Sequence, residues 1–377
     1  MYKVPLFKLN YNHKEEKAIK RVIKTQWLTM GQETIDLENY FSKQLTNNYH
    51  TIAVSSCTAA IHLSLLSLNL KKNDEVIVPS LSFISQINII KNLKAKPILV
   101  DCVSLDNWNI NIQAVKKKIN ANTKAIIILH YAGFPCLIDK ELIKICRDKN
   151  IVIIEDVAHA PGAMIEKRFC GSMGDLGCFS FFSNKNISAG EGGLISVKNK
   201  RLAKKLKYLR SHGMTQLSLD RKLGRTSQYD VVESGLNYRI DELRSSLAKE
   251  QMLKLQKANL KRKKYFENYK KILMDLPIRI PFQNLSYSFK AAYHIFPILL
   301  PSKTNKASLI EKLKKNGIQT SIHYPPFWSF SIYKNSFNKN NFPICNEICK
   351  RQLTLPLFPN MKKEDIKTVY LNLKKLL

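Results

Sequence analysis

Two side chains in this 377-residue sequence have settings that allow covalent chemistry with a carbonyl compound. Lys185 follows the aromatic, strand-like run Phe179-Ser180-Phe181-Phe182 and precedes the turn Gly190-Glu191-Gly192-Gly193. Such a position puts the amine near a cleft, where desolvation lowers its pKa toward neutrality and lets the nitrogen form a Schiff base. Asp156 closes the β-branched run Ile151-Val152-Ile153-Ile154 one residue after Glu155, at the carboxyl end of what reads as a buried parallel strand. Ligands of open α/β sheets bind at that edge. Pyridoxal phosphate needs both groups: a lysine for its aldehyde, and a carboxylate that keeps its pyridine nitrogen protonated so that the ring draws electrons. Taken singly, a strand-end Asp is commonly a cap or turn former, and one lysine among 61 Lys plus Arg is commonly a solvated charge. The order of strand, Asp, strand, Lys and Gly-rich turn sets them apart.

The elements that must carry these residues form an alternating series. Thr51–Val54, Glu75–Pro79, Lys96–Asp101, Ala125–His130 and Ile151–Asp156 read as strands, with helical patterns between them at Ile112–Ile119 and Lys140–Arg147. That alternation predicts an α/β fold with a mainly parallel sheet flanked by helices. Neither a Walker A pattern nor G-x-G-x-x-G is present, which removes the usual ground for a nucleotide-hydrolysing or nicotinamide enzyme. Ser55-Ser56-Cys57-Thr58-Ala59-Ala60 is a strand-turn-helix junction of small residues, suited to a phosphate or to an ordinary Ser/Thr cap. Phe83 stands just past the second strand, fit to lie on a flat ring or to pack in the core. If Phe179–Phe182 is extended, Ser180 and Phe182 share one face. A long charged helix, Lys254–Met274, leads to a smaller α+β C-terminal domain. Its strands are expected at Tyr293–Leu300 and Ile318–Ile322, with helices at Lys306–Lys315, Asn341–Leu353 and Lys362–Leu376. The expected division is 1–255 and 256–377, with roughly the first 25 residues packing on the small domain. A polar loop spans Thr215–Asp230, with Gly224-Arg225-Thr226 as its mobile part.

Several ordered motifs resemble the DegT/DnrJ/EryC1/StrS sugar aminotransferases. They are E-D-V-A-H-A-P-G-A from Glu155, G-D-L-G-C-F-S-F-F-S-N-K-N-I-S-A-G-E-G-G from Gly174, and G-L-N-Y-R-I-D-E-L from Gly235. W-L-T-M-G, S-S-C-T-A-A-I-H-L, D-E-V-I-V-P-S, H-Y-A-G-F-P, R-S-H-G-M and L-P-L-F-P extend the likeness over nearly the whole chain. The resemblance implies a fold-type I pyridoxal-phosphate transferase with Lys185 and Asp156 catalytic. It assigns the cofactor phosphate to Thr58, Ala59 and Ser180, the ring face to Phe83 and the phenolic oxygen to His159. Many relatives have Gly where Cys57 stands, a change that contacts through the backbone would tolerate. Asn237 is implied to reach the cofactor phosphate of a partner subunit, in a homodimer with shared active sites, while Arg239, His323 and Tyr324 are candidates for substrate contact. The implied reaction moves an amino group from glutamate, leaving 2-oxoglutarate, to a nucleotide-linked keto sugar for surface polysaccharide or another glycan. A dehydratase branch has His in place of Lys185, and a binding protein on the same fold is the rival from another class.

Charge and cysteine content complete the picture. Sixty-one basic and 29 acidic residues give a net charge of +32. This excess favours anionic partners, but the lysines are dispersed and no nucleic-acid motif accompanies them, so no specific nucleic acid is expected. Eight cysteines without a C-x-x-C pattern read as reduced thiols. Cys345 and Cys349, one helical turn apart, have no second Cys/His pair of zinc-site spacing, and are expected to be buried thiols with no metal. With no long apolar segment in the sequence, the expectation is a cytoplasmic protein without membrane insertion.

Overall fold

The computed structural model describes residues 2–216, 218–224 and 228–377. Arg225 and Thr226 of the expected mobile loop lie outside the described residues. The strands are β1 (His50–Val54), β2 (Glu75–Pro79), β3 (Lys96–Val100), β4 (Thr123–Leu129), β5 (Val152–Asp156), β6 (Met164–Ile165), β7 (Arg168–Phe169), β8 (Leu176–Ser180), β9 (Gly193–Val197), β10 (Phe289–Lys290), β11 (Phe296–Leu299) and β12 (Gln352–Leu355). Between them run the helices α1 (His13–Lys24), α2 (Gln32–Leu45), α3 (Cys57–Leu66), α4 (Ser85–Asn92), α5 (Ile112–Lys118), α6 (Lys140–Asp148), α7 (Lys200–Arg210), α8 (Ser218–Lys222), α9 (Glu242–Ile272), α10 (Lys306–Lys315), α11 (Pro343–Arg351) and α12 (Lys363–Leu376).

Seven strands make one sheet in the order β1-β9-β8-β5-β4-β2-β3. Every neighbouring pair is parallel except the two that involve β9. Side-chain alternation divides the core. On β4, Ala125, Ile127 and Leu129 enter one apolar cluster while Ile126 and Ile128 enter the other, on the opposite face. Both faces being covered explains the β-branched, unalternating strand sequences, and each fully buried Ile stabilises the fold by roughly 1.5–3 kcal/mol.

The first cluster continues into the C-terminal unit, where β11 pairs antiparallel with β12. Two elements differ from the sequence reading. The helix expected over Asn341–Leu353 ends at Arg351, because residues 352–355 pair with β11 and are all buried, a tertiary gain that outweighs helical pattern. Ile318–Ile322 forms no strand of its own: Ile318 bridges to Val4 and Ser321 to Thr354, single contacts on two different partners. The N-terminus also reaches this unit, with Leu6 N–H donating to Gln319 Oε1 at 2.9 Å. Helix α1 rests instead on α9, where Gln251 Nε2 donates to Glu15 Oε1 at 2.6 Å.

Helix α9 has 31 residues without Gly or Pro and is capped by Asp241, whose Oδ1 accepts the Arg244 N–H at 2.8 Å. Residue 255, the expected domain boundary, falls in its middle. At its first turn the Glu242 carboxylate collects the N–H groups of Gly31, Glu33 and Thr34 at 2.8, 2.7 and 3.0 Å. Farther along, Arg262 Nη1 donates to the carbonyls of His294 and Leu357, both at 2.9 Å.

Candidate active site

A cavity of about 320 Å³ opens at the carboxyl ends of β4, β5 and β8. Asp156, 4% exposed, ends β5 at its floor. Gln86 Nε2 donates to its Oδ2 at 2.7 Å and Ala158 N–H to its Oδ1 at 3.0 Å. Ser82 Oγ in turn donates to Gln86 Oε1 at 3.0 Å, which fixes the amide so that its NH2 faces the carboxylate. Burial raises the Asp156 pKa, opposed by these hydrogen bonds and by the Lys185 charge. A second carboxylate anchors the strand from below. Glu155, fully buried, accepts from Gly171, Met173 and Gly174 N–H at 2.8, 2.7 and 2.7 Å and meets His130 Nε2 at 2.9 Å. Because Cys136 N–H donates to His130 Nδ1, the His130 proton is assigned to Nε2, facing Glu155.

Lys185 sits in a turn closed by its own N–H on Phe182 O at 2.8 Å. The neighbouring Asn186 is buried and ties down the loop, donating to Asn259 Oδ1 and Ala292 O at 2.8 Å each. The Lys185 side chain is half-buried in the cavity wall. Desolvation brings its pKa down to about 8, against the opposing pull of Asp156 and Cys57. Ser180 and Phe182 both face the cavity, while Phe179 and Phe181 are buried beside Phe41, with ring centroids 4.7 and 6.1 Å from its own.

The amino end of α3 meets the same cavity. Its N-cap Ser56 takes the Ala59 N–H at 3.0 Å, and Thr58 lines the wall. Gly193 makes room for this junction: a Cβ there would lie 2.5 Å from Ser56 C and 2.7 Å from both Cys57 N and Phe179 O. Backbone alone fits in that gap.

The fourth side of the cavity is aromatic and imidazole. Ala132 N–H donates to His159 Nδ1 at 3.3 Å, so the ring proton belongs on Nε2, which lies 2.7 Å from Tyr324 Oη. Nε2–H then donates to the tyrosine oxygen, and the Tyr324 hydroxyl proton is left to point elsewhere in the cavity. The strap carrying Ala132 packs so tightly that Gly133, at φ +91°, would place a Cβ 2.8 Å from the backbone nitrogens of Tyr293 and His294. Burial lowers the pKa of His159, with Lys185 adding to the effect, and brings His323 down to about 3. Both rings are therefore neutral. The phenol of Tyr324 is pushed up by burial and by the Asp156 charge. Phe83, 51% exposed, lies with its ring centroid 5.5 Å from that of Tyr324.

Thus Thr58, Phe83, Asp156, His159, Ser180, Lys185, His323 and Tyr324 converge on one cavity. Ala59 lies behind it, its N–H taken by Ser56. Asn237 and Arg239 do not line it: Asn237 is exposed and Arg239 half-buried on a segment whose Tyr238 carbonyl accepts the Ser55 N–H at 2.9 Å. Gln86 belongs to no chemical motif, and its one signal in the sequence is the four-residue spacing from Ser82 at the start of a helix. Glu191, Asn184 and Cys57 also line the cavity.

A cleft with a neutralisable lysine, a buried carboxylate and a helix amino end suits a phosphorylated pyridine aldehyde, and on a sheet of this topology it defines a fold-type I pyridoxal-phosphate enzyme. Residues 10–374 match the DegT/DnrJ/EryC1/StrS aminotransferase family, and the chain belongs to it. Spr1654 from Streptococcus pneumoniae in its apo form superposes with a TM-score of 0.91 at 25% identity, over 100% of this chain and 98% of that one, and has also been solved in PMP and PLP forms. PseC of Helicobacter pylori, an aminotransferase involved in the biosynthesis of pseudoaminic acid, gives a TM-score of 0.89 at 26% identity over 100% and 98%. The uncharacterized protein MJ1066 of Methanocaldococcus jannaschii is 34% identical over 99% of this chain and 97% of its own length. The cofactor is pyridoxal phosphate. No helix among the described residues is long and apolar enough to cross a membrane.

Proposed function

We propose that this chain transfers an amino group from glutamate to a nucleotide-linked keto sugar, in the cytoplasm, for surface polysaccharide or glycan synthesis. The observation that carries the reading is the meeting of Lys185, at a pKa of about 8, with buried Asp156 in a cavity whose other walls are polar and aromatic. The description of PseC supports a sugar as acceptor, and the net charge of +32 suits a diphosphate-bearing substrate.

Pyridoxal phosphate, when bound, supplies an aldehyde that takes up an amino group and a protonated ring that withdraws electrons. Asp156 keeps the positive charge on the ring nitrogen. Thr58 and Ser180 hold the phosphate at the start of α3, where the helix dipole favours an anion, while Ala59, its N–H taken by Ser56, stands behind them. Phe83 covers the ring. The Lys185 amine is poised to accept a proton from the donor's α-carbon and return it, since a base near neutrality exists in both forms at working pH. His159 fixes the Tyr324 hydroxyl as a donor toward a sugar or cofactor oxygen. His323 lines the same wall, and Arg239, outside this cavity, supports the segment that carries Asn237. Asn237, exposed and outside its own cavity, acts in the active site of the second subunit of a homodimer.

The test is the visible spectrum of the protein with pyridoxal phosphate, before and after glutamate, beside Lys185→Ala. Conversion to the pyridoxamine form by glutamate, absent in the variant, is the expected result and leads to a screen of nucleotide keto sugars. A lysine-dependent band indifferent to glutamate would overturn the donor assignment, and glutamate conversion in the variant would overturn the role of Lys185.

A further inference from the structure

Cys345 finds metal-ligating partners only in the folded chain. β3 is an edge strand, and the two residues that follow it, Asp101 and Cys102, meet the first turn of α11. One ligand atom from each of Asp101, Cys102 and Cys345 lies within 4.8 Å of the others, and Cys349 Sγ is 3.8 Å from Cys345 Sγ. The three cysteines are 2%, 0% and 7% exposed.

Ligand atoms of one tetrahedral zinc with metal–sulfur bonds of about 2.3 Å stand up to about 3.8 Å apart, so the three atoms, already within 4.8 Å of one another, need to close by about 1 Å at most. The carboxylate is also held ready. Asp101 Oδ1 accepts the N–H groups of Cys102 and Cys345 at 2.8 Å each, and Oδ2 accepts Ile344 N–H at 3.0 Å, which leaves Oδ2 a lone pair. Buried thiols ordinarily act as small apolar groups. What distinguishes these is the convergence of two sulfurs, of Cys102 and Cys345, with the Asp101 carboxylate from segments more than 240 residues apart.

We propose that Asp101, Cys102 and Cys345 bind one thiophilic divalent cation, with Zn2+ as the type, which clamps the end of β3 to α11 beside Cys349. Each coordinating thiol gives its proton to water as the metal–sulfur bond forms. Lys306, whose Nζ donates to Cys349 O at 2.6 Å, brings a positive charge to the same helix. The clamp reaches the active site by a short path: Cys349 Sγ lies 3.5 Å from the Tyr324 carbonyl, which also accepts Gln352 Nε2 at 2.8 Å.

Reduced holoenzyme, stripped with chelator, is titrated with Co2+ as the probe. The expected result is a sulfur-to-cobalt absorption that saturates at one equivalent per chain and is abolished by Zn2+. Cys345→Ala and Cys102→Ala should each weaken binding by about tenfold or more, and Cys136→Ala, a buried thiol elsewhere, should leave it unchanged. Asp101→Asn keeps an oxygen for the two shared N–H groups and should weaken binding with the fold intact. Circular dichroism and cofactor loading report folding in each case. The proposal is overturned by the absence of a sulfur–cobalt band in the parent, or by a band that survives both Cys345→Ala and Cys102→Ala in folded protein.

Discussion

Capture of pyridoxal phosphate by the apoprotein should switch on as pH rises toward 8, because only the neutral Lys185 amine attacks an aldehyde. Desolvation brings its pKa to about 8. At pH 7 roughly one molecule in eleven is then competent, whereas a solvated lysine of ordinary pKa would offer about one in 3,000. The second-order rate should climb about tenfold per pH unit below the midpoint and flatten above it, so that the plateau exceeds the pH 7 rate by about tenfold. Stopped-flow absorbance after mixing apoprotein and cofactor, between roughly pH 6 and 9.5, measures this directly. Asp156→Asn should move the midpoint down, since the Asp156 charge is what holds the Lys185 pKa up against burial. A rate still rising tenfold per unit at pH 9 would refute the argument. Apoprotein stability carries the same signature. Lys185 has a lower pKa folded than unfolded, so between about 8 and 10.5 the unfolded chain holds the extra proton and stability rises with pH through that window.

Glu155→Ala leaves buried donors on Gly171, Met173, Gly174 and His130 without their acceptor, and should cost about 3–5 kcal/mol in urea unfolding; a loss below 1 kcal/mol would mean that water replaces the carboxylate. Gly193→Ala drives a methyl into backbone at 2.5 Å, and should lower stability by about 1–3 kcal/mol and weaken cofactor affinity, read by thermal melts and cofactor titration. An unchanged melt and affinity would show that the junction yields. Mixed dimers of Lys185→Ala and Asn237→Ala chains should regain one working site per heterodimer, and activity no higher than that of the parent homodimers would refute the shared site.

The strand-end position of Asp156, the cavity-facing pair Ser180 and Phe182, and the helix amino end at Thr58 were legible because each follows from local pattern: an apolar run, a two-residue period, a run of small residues. Gln86 with Asp156, Glu155 with the 171–174 turn, and Asp101 with Cys345 were not, since these contacts join residues between 16 and 244 positions apart and leave no spacing to read. Strand β12 was hidden for the same reason. Its conformation is decided by pairing with β11, and Gln352 and Leu353 continue the helical pattern of α11 when viewed alone.

Helix α9 imposes a constraint of another kind, on how the chain can change length. Its 31 residues span about 46 Å, and each residue turns the helix by about 100°. Gln251 must face α1 while Asn259 faces Asn186 and Arg262 faces His294, all on one uninterrupted rod. One residue inserted between Gln251 and Asn259 would swing every later contact by more than a quarter turn, pulling the support from beneath the lysine loop. Surface loops can drift in length, but this segment is held in phase, as the teeth of a shaft hold two wheels.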